Sequence, residues 1–436
     1  MDKVRVGVLG ARRGGMLAKY CAMAGNAELV AVCDYNEVFL NKTRAALNDD
    51  RIAYDTDFET FIKRDFDAVL LANYATEHVP FVERCLAEGK HVISEVLPCQ
   101  TLAEAVRLCE AVEKSDRIYA YAENYCYMQA PMEMRRLFRE GKLGRFEYGE
   151  GEYFHNCEPV WSEITQGNPE HWRNNLPATF YCTHSAGPMI HIAGERPVRV
   201  TAFELPFNER CTRMGMKSGA AAVEMVTLAN GAVIKSLHGL GISRNSVWFS
   251  VYGSKGRMES SREDAESVLL PKPEKMYESM HKAVSRLYTN LDENEGDNLL
   301  NAEVYEPCDE LTAASRDYGH GGSDYYTMWH FIEKIRGNEK AQIIDVYEAL
   351  DMGFVGLFGY KSILKGGAPV DIPDFRIPSE REAFRNDTEC TNPEKAGAML
   401  IPSYSLGNPE IPKEVYAYHR QKWQEFAANT GSTFSQ

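Results

Sequence analysis

The stretch Val4-Arg5-Val6-Gly7-Val8-Leu9-Gly10-Ala11-Arg12-Arg13-Gly14-Gly15 decides the fold. Val4 to Leu9 alternates and closes on apolar residues, which reads as a strand, and the glycine turn then leads into a helix-like segment from Met16 to Ala24. Strand, glycine turn and helix in this order aim backbone N–H groups at a pyrophosphate. In the G-x-G-x-x-G register Gly10 and Gly15 fit, while Arg12 stands where the middle glycine is expected. A second strand, Leu29 to Cys33, ends at Asp34. A carboxylate there accepts hydrogen bonds from a ribose diol and repels a 2′-phosphate, so NAD is expected and not NADP.

Working outward, the β/α alternation continues. Strand-like Ala68 to Ala72 is followed by Asn73-Tyr74-Ala75-Thr76-Glu77-His78, a helix through Leu86, and Gly89-Lys90-His91-Val92-Ile93-Ser94-Glu95. A helix from Leu102 to Lys114 leads to strand Tyr119 to Ala122 and then to Glu123-Asn124. Each strand ends in polar residues, where ligands bind in a doubly wound parallel sheet. The expected cofactor contacts are Gly10, Arg12, Arg13, Gly14, Asp34, Asn73, Thr76, His78, Glu95, Val96, Glu123 and Asn124.

From Arg145 the period changes to two. Phe146, Tyr148, Glu150 and Glu152 are expected on one face, and Glu147, Gly149, Gly151, Tyr153 and His155 on the other, with the glycines leaving space beside Tyr153 for a ligand. Further strands are expected at Arg199 to Leu205, Ala221 to Leu228, Ala232 to His238 and Ser246 to Tyr252, with Asn230-Gly231 as a hairpin turn. Residues 262 to 316 are polar and acidic, especially Asp292 to Asp297, and read as an excursion with little regular structure. Helices are expected at Asp324 to Arg336 and Val346 to Leu364, returning to the first domain, and near Pro412 to Ala428. The fold class is α/β: an N-terminal doubly wound Rossmann domain (1–125), a C-terminal α+β domain with an open, mostly antiparallel sheet (126–375), and a C-terminal extension (376–436).

Composition narrows the partners. A formal charge of -15, from 48 basic and 63 acidic residues, argues against nucleic acid. No apolar run approaches the roughly 20 residues that cross a bilayer, and Met1-Asp2-Lys3-Val4-Arg5 lacks a signal-peptide core, so a cytoplasmic protein without membrane partners is expected. Eleven cysteines without a C-x-x-C pair read as buried thiols in a reducing compartment. His155, His191, His320 and Asp324 match no local metal motif, and no metal is expected.

Tyr181-Cys182-Thr183-His184-Ser185-Ala186-Gly187-Pro188 sets two proton-transfer side chains three residues apart. Pro188 suits the first position of a helix, so a helix is expected to start there, with His184 at its positive end. Such a pair suits chemistry on a hydroxyl group.

Together, Gly10 to Gly15, Asp34, Asn73 to His78, Gly89-Lys90-His91-Val92 and Glu95-Val96-Leu97-Pro98 resemble the glucose-fructose oxidoreductase, inositol dehydrogenase and MocA (Gfo/Idh/MocA) family. Two features of its sugar dehydrogenases are missing: the lysine of their E-K-P motif and the D-x-G-x-H-x-x-D helix. The chain is more similar to the NAD-dependent α-N-acetylgalactosaminidase branch of that superfamily. The likeness runs through Glu123-Asn124-Tyr125-Cys126-Tyr127, Tyr153-Phe154-His155, His171-Trp172-Arg173, Tyr181-Cys182-Thr183-His184, Gly319-His320-Gly321-Gly322-Ser323-Asp324 and Gly366 to Phe375. Arg12, Leu97, Cys182 and Ser185 depart from the pattern.

The resemblance implies a glycosidase in which hydride passes from C3 to the nicotinamide, the C2 proton is lost, the aglycone is eliminated from C1, water adds and the hydride returns. It implies Tyr153 as the base at C2, His184 with Tyr181 at the C3 hydroxyl, and Trp172, Arg173, Tyr181 and His184 as glycoside contacts. One alternative is an NAD-dependent sugar or glycoside 3-dehydrogenase that releases the ketone. Another is a non-catalytic NAD-binding sensor. A homo-oligomer is common in this superfamily.

Overall fold

The structure, a computed structural model, describes residues 2–260, 285–289, 303–305, 314–315 and 318–429. Six parallel strands form the first sheet: β1 (Val4–Leu9), β2 (Ala27–Cys33), β3 (Ala53–Asp55), β4 (Ala68–Leu71), β5 (His91–Ser94) and β6 (Tyr119–Tyr121). Their order, β3-β2-β1-β4-β5-β6, reverses direction between β1 and β4, and the crevice at such a reversal is where an open α/β sheet binds ligands. The helices covering it are α1 (Ala11–Met23), α2 (Glu37–Leu47), α3 (Phe58–Phe61), α4 (His78–Ala87) and α5 (Leu102–Lys114). Side-chain caps set three of their starts, Asn36 accepting from Val38 N for α2, Asp57 from Thr60 N for α3 and Thr101 from Glu104 N for α5.

Helix α1 begins at Ala11 and not at Met16, so Arg12 to Gly15 belong to its first turns. Gly10 permits this: its φ is +97°, and a Cβ there would stand 2.3 Å from the Ala72 carbonyl oxygen at the end of β4. The helix can therefore start directly at the sheet edge.

After α6 (Gln129–Arg139) a second sheet is built on β7 (Phe146–Phe154). The helices α7 (Trp161–Thr165), α8 (Thr183–Ala193) and α9 (Glu209–Met214) are interleaved with β8 (Pro197–Glu204), β9 (Ala222–Leu228), β10 (Val233–Gly239), β11 (Ser246–Gly253) and β12 (Gly256–Glu259). The strand order is β14-β13-β12-β11-β7-β10-β9-β8-β15, where β13 is Ser285–Thr289, β14 Glu303–Tyr305 and β15 Val370–Asp371. Among the described residues β7 and β10 pair in parallel, and the other pairings in this sheet are antiparallel. The two strands β13 and β14 fall inside the stretch expected to lack regular structure; residues 262–284, 290–302, 306–313 and 316 of that stretch lie outside the described residues.

The alternation along β7 is correct from Tyr148 onward and fails at Phe146. The β7–β11 register shifts between Tyr252 and Gly253, so Gly253 pairs with Phe146 and Glu147 is the extra residue of a bulge. Phe146 thus lies on the helix-covered face, where a Cβ on Gly149 would meet its ring at 2.8 Å. The glycines beside Tyr153 do not open room for a ligand. A Cβ on Gly151 would stand 1.9 Å from the Ser185 carbonyl oxygen, so the space they leave is filled by α8.

Two helices bring the chain back across the first sheet. One is α10 (Ser323–Ile335), whose Tyr325 ring lies 5.1 Å from that of Tyr20 on α1. The other, α11 (Val346–Leu364), packs on β8 and α8 and reaches α5 and β6. Short helices α12 (Pro378–Glu382) and α13 (Pro393–Ala396) follow, and α14 (Lys413–Ala428) lies against α7 and α9. No helix among the described residues is long and apolar enough to cross a membrane.

Candidate active site

A cleft of about 920 Å³ opens at the C-terminal edge of β1, β2 and β4. Gly10, Arg12, Arg13, Asp34, Phe39, Asn73 and Tyr74 contribute from the first domain, and Ile164, His171, Trp172 and Arg173 from the second. Asp34 spans the start of α1 and the loop before α2: Oδ2 accepts from Ala11 N at 2.7 Å and Oδ1 from Asn36 N at 2.8 Å. Burial pushes its carboxyl up, against those two backbone donors.

The first turn of α1 holds no acidic side chain, so its positive end is uncompensated within the helix. Arg12 reaches across to Glu163 on α7 at 2.7 Å, and burial together with Arg173 draws its guanidinium down although Glu163 opposes this. Arg13 is held by Glu95 at 2.8 Å and by both oxygens of Asp324 at 2.9 and 2.8 Å. Burial opposes the Asp324 charge, but Arg13 and His320 outweigh it and hold that carboxyl well below its ordinary range.

Beside α8, joined to the cleft through Arg173, lies a cluster of aromatic and imidazole rings. His184 Nδ1 is 2.7 Å from Glu123 Oε1, and the Tyr153 ring stands 4.6 Å from the His184 ring. The Tyr153 hydroxyl meets His155 Nδ1 at 3.0 Å. Arg173 donates to the Tyr181 hydroxyl and stacks 4.4 Å over Trp172. Burial, with smaller contributions from His320, His184 and the two arginines, pushes His155 down to about 4, so it is neutral at pH 7. Burial raises Tyr181 to about 12 against Arg173, which keeps its hydroxyl a donor.

Several buried polar atoms here lack a hydrogen-bond partner among the described residues: Asn73 Oδ1, Glu123 Oε2, His171 Nε2 and Trp172 Nε1. Each orphan of this kind costs about 1–3 kcal/mol. These orphans fit a dinucleotide and a polar substrate.

Residues 4–123 match the model of the oxidoreductase family with an NAD-binding Rossmann fold, and residues 200–379 that of the glycosyl hydrolase 109 C-terminal domain. The chain is thus similar to the Gfo/Idh/MocA oxidoreductases over its first domain and to the glycosyl hydrolase 109 proteins over its second. A glycosyl hydrolase family 109 protein of Saccharopolyspora erythraea is 25% identical over 86% of this chain and 83% of its own. An α-N-acetylgalactosaminidase of Tannerella forsythia is 24% identical over 80% and 81%. Among solved structures, a levoglucosan dehydrogenase in complex with NADH has a TM-score of 0.65 at 18% identity over 86% and 100% of the two chains. An oxidoreductase domain protein of Kribbella flavida has the same score at 19% identity over 86% and 100%. These last two likenesses are of fold.

Of the residues expected at the site, Gly10, Arg12, Arg13, Asp34 and Asn73 line the cleft with Trp172 and Arg173. Gly14 packs α1 on β1, where a Cβ would meet Val8 at 2.6 Å. Thr76 is buried in the turn before α4. His78 is turned to the loop after β5, its Nδ1 2.9 Å from the Leu97 carbonyl, and Val96 donates to Glu95 Oε2 within that loop. Asn124 donates to Asp324 at 3.2 Å.

The expected helix start at Pro188 is wrong: α8 begins at Thr183 and carries Pro188 inside it. The chain is already turning before that point, as Cys182 N donates to Thr179 O and Ala186 N to Cys182 O. Pro188 forfeits only its own bond to the His184 carbonyl. The four residues weighed as metal ligands do not gather, since His191 pairs with Glu348, His155 with Tyr153, and His320 with Asp324. Among the described residues there is no group of three or more His, Cys, Asp or Glu side chains that would hold a metal.

Sequence reasoning gave no role to Tyr125, whose ring lies 4.4 Å from His184 and 5.1 Å from Tyr153, although Glu123-Asn124-Tyr125 had been singled out. It also missed Glu163, for which the sequence carried no signal. The Tyr153–His155 pair was open to inference, because residues two apart share a strand face.

Proposed function

We propose that this enzyme is an NAD-dependent glycosidase that breaks a glycosidic bond through transient oxidation at C3. The observation that carries this reading is the pair of independently supported proton-transfer groups, His184 on Glu123 and Tyr153 on His155, with rings 4.6 Å apart. Oxidation alone needs one such group; oxidation followed by loss of a C2 proton needs two.

Bound NAD supplies reversible oxidation at C3, which leaves a ketone there and makes the C2 proton acidic. Gly10, Arg12, Asp34, Asn73 and Glu123 are the residues that would hold it. Glu123 accepts Nδ1–H of His184, which fixes the tautomer and leaves Nε2 free to take the C3 hydroxyl proton. Tyr153 takes the proton from C2 as its own passes to His155 Nδ1, and the electron pair released at C2 expels the aglycone from C1. Tyr181, kept protonated by burial and oriented by Arg173, donates to the oxygen at C3. After water adds at C1, the same groups return their protons.

Incubation with a panel of nitrophenyl glycosides without added reductant tests this, and the named relative supports including an N-acetylgalactosaminide. Release of nitrophenol with no net NADH is expected. Accumulation of NADH and a 3-keto glycoside would instead identify a 3-dehydrogenase.

A further inference from the structure

The two groups assigned to proton transfer sit on different elements, Tyr153 on strand β7 and His184 on helix α8. Their relative placement depends on how α8 is fastened to the sheet. The backbone contact is at Gly151, directly under the Ser185 carbonyl and two residues before Tyr153. The neighbouring strand makes the polar contact. Ser185 Oγ lies 2.8 Å from Ser236 Oγ on β10, and both oxygens are 3.3 Å from His238 Nδ1. Ser185 also donates to the Cys182 carbonyl at 3.1 Å, which ties the link to the first turn of the helix.

Register places this contact beside the site. In the parallel β7–β10 pair, Ser236 stands opposite Gly151 and His238 opposite Tyr153. All three polar side chains have no solvent exposure. The buried hydroxyls and imidazole stand beside the fully buried Glu224, whose Oε2 is 3.9 Å from His238 Nδ1, and such a polar cluster confers little beyond packing unless it fixes one geometry.

We infer that Ser185, Ser236 and His238 are positioning residues that set the distance between His184 and Tyr153. The inference rests on the proposed roles of those two. A displacement of about 1 Å in a reacting group costs up to a hundredfold in rate. Loss of the link therefore slows turnover while leaving the cleft that binds NAD and glycoside intact.

The test is a double-mutant cycle in the full-length NAD-loaded enzyme, read as kcat and KM for a cleaved nitrophenyl glycoside and as Tm. Ser185→Ala and Ser236→Ala are each expected to lower kcat about tenfold or more, with KM little changed. The double variant should be no slower than the slower single one, because both remove the same link. Ser236→Thr, which keeps the hydroxyl, should restore most of kcat. Unchanged kcat in both single variants would overturn the inference, as would losses that multiply in the double variant and follow Tm. Tyr153→Phe, run alongside, separates the two levels: if it loses cleavage while the serine variants keep it, only the positioning inference fails. If Tyr153→Phe retains cleavage, both fail.

Discussion

His184 Nδ1 and Glu123 Oε1 are 2.7 Å apart, although 61 residues separate them in the chain. The contact joins the strand-end loop after β6 to the first turn of α8, so it links the two sheets as well as two side chains. It also gives the imidazole one defined free nitrogen. The same Glu123 oxygen accepts from Tyr125 N at 3.2 Å, which holds the carboxylate in place.

Glu123→Gln keeps the shape of the pair and removes its charge. Its amide can present either an oxygen or an N–H to Nδ1, so the tautomer is no longer fixed. A fall of about 10²-fold or more in kcat for a nitrophenyl glycoside, measured at saturating NAD, is expected.

Asp34→Ser removes a carboxylate that accepts from Ala11 N and Asn36 N beside the cleft. Equilibrium dialysis should show weaker NAD retention and a smaller preference for NAD over NADP. Equal affinity of the variant and the parent for both nucleotides would show that Asp34 does not select the cofactor.

Stability should fall on acidification. His78 and His155 are pushed down to about 4, and His171 and His238 to about 3, in each case chiefly by burial. Unfolded histidine takes a proton near 6.5, so below that pH the unfolded chain binds more protons and stability drops until the folded values are reached. The loss is about 2 kcal/mol per fully buried histidine at pH 5. Thermal denaturation at pH 7.5 and pH 5 checks this, and a flat Tm across that window would contradict it.

The C-terminal helix should help retain the cofactor. On one side Tyr416 donates to the Gly215 carbonyl and His419 to that of Arg213, while Ser162 on α7 bonds the other His419 nitrogen at 2.7 Å. On the other side Trp423 packs 5.3 Å from Phe39, which lines the cleft, and Lys42 donates to the Asn429 carbonyl. A chain ending at Ile411 should lose NAD faster on gel filtration, and Trp423→Ala should do so to a smaller degree.

The first domain was legible because its signals are local. A glycine turn, an apolar strand and a carboxylate at the next strand end are each readable within a few residues, and α5 and α11 fall where their periodicity placed them. The errors arose where distant chain decided. Pro188 looked like a helix start, but buried hydrogen bonds from Thr179 and Cys182 had already set the turn. Gly149 and Gly151 looked like space for a sugar, and the space belongs to α8. Arg13 was placed in the phosphate turn without its partner, because Asp324 lies 311 residues away. Side chains could be nominated from the sequence, whereas their pairing required the packing of two sheets against one another.

The account turns on removal of the C2 proton by Tyr153. Cleavage of a nitrophenyl glycoside in deuterated water, with mass and NMR analysis of the released sugar, tests it most directly. Deuterium at C2 of the product is predicted, and its complete absence in a sugar that has been cleaved would contradict elimination.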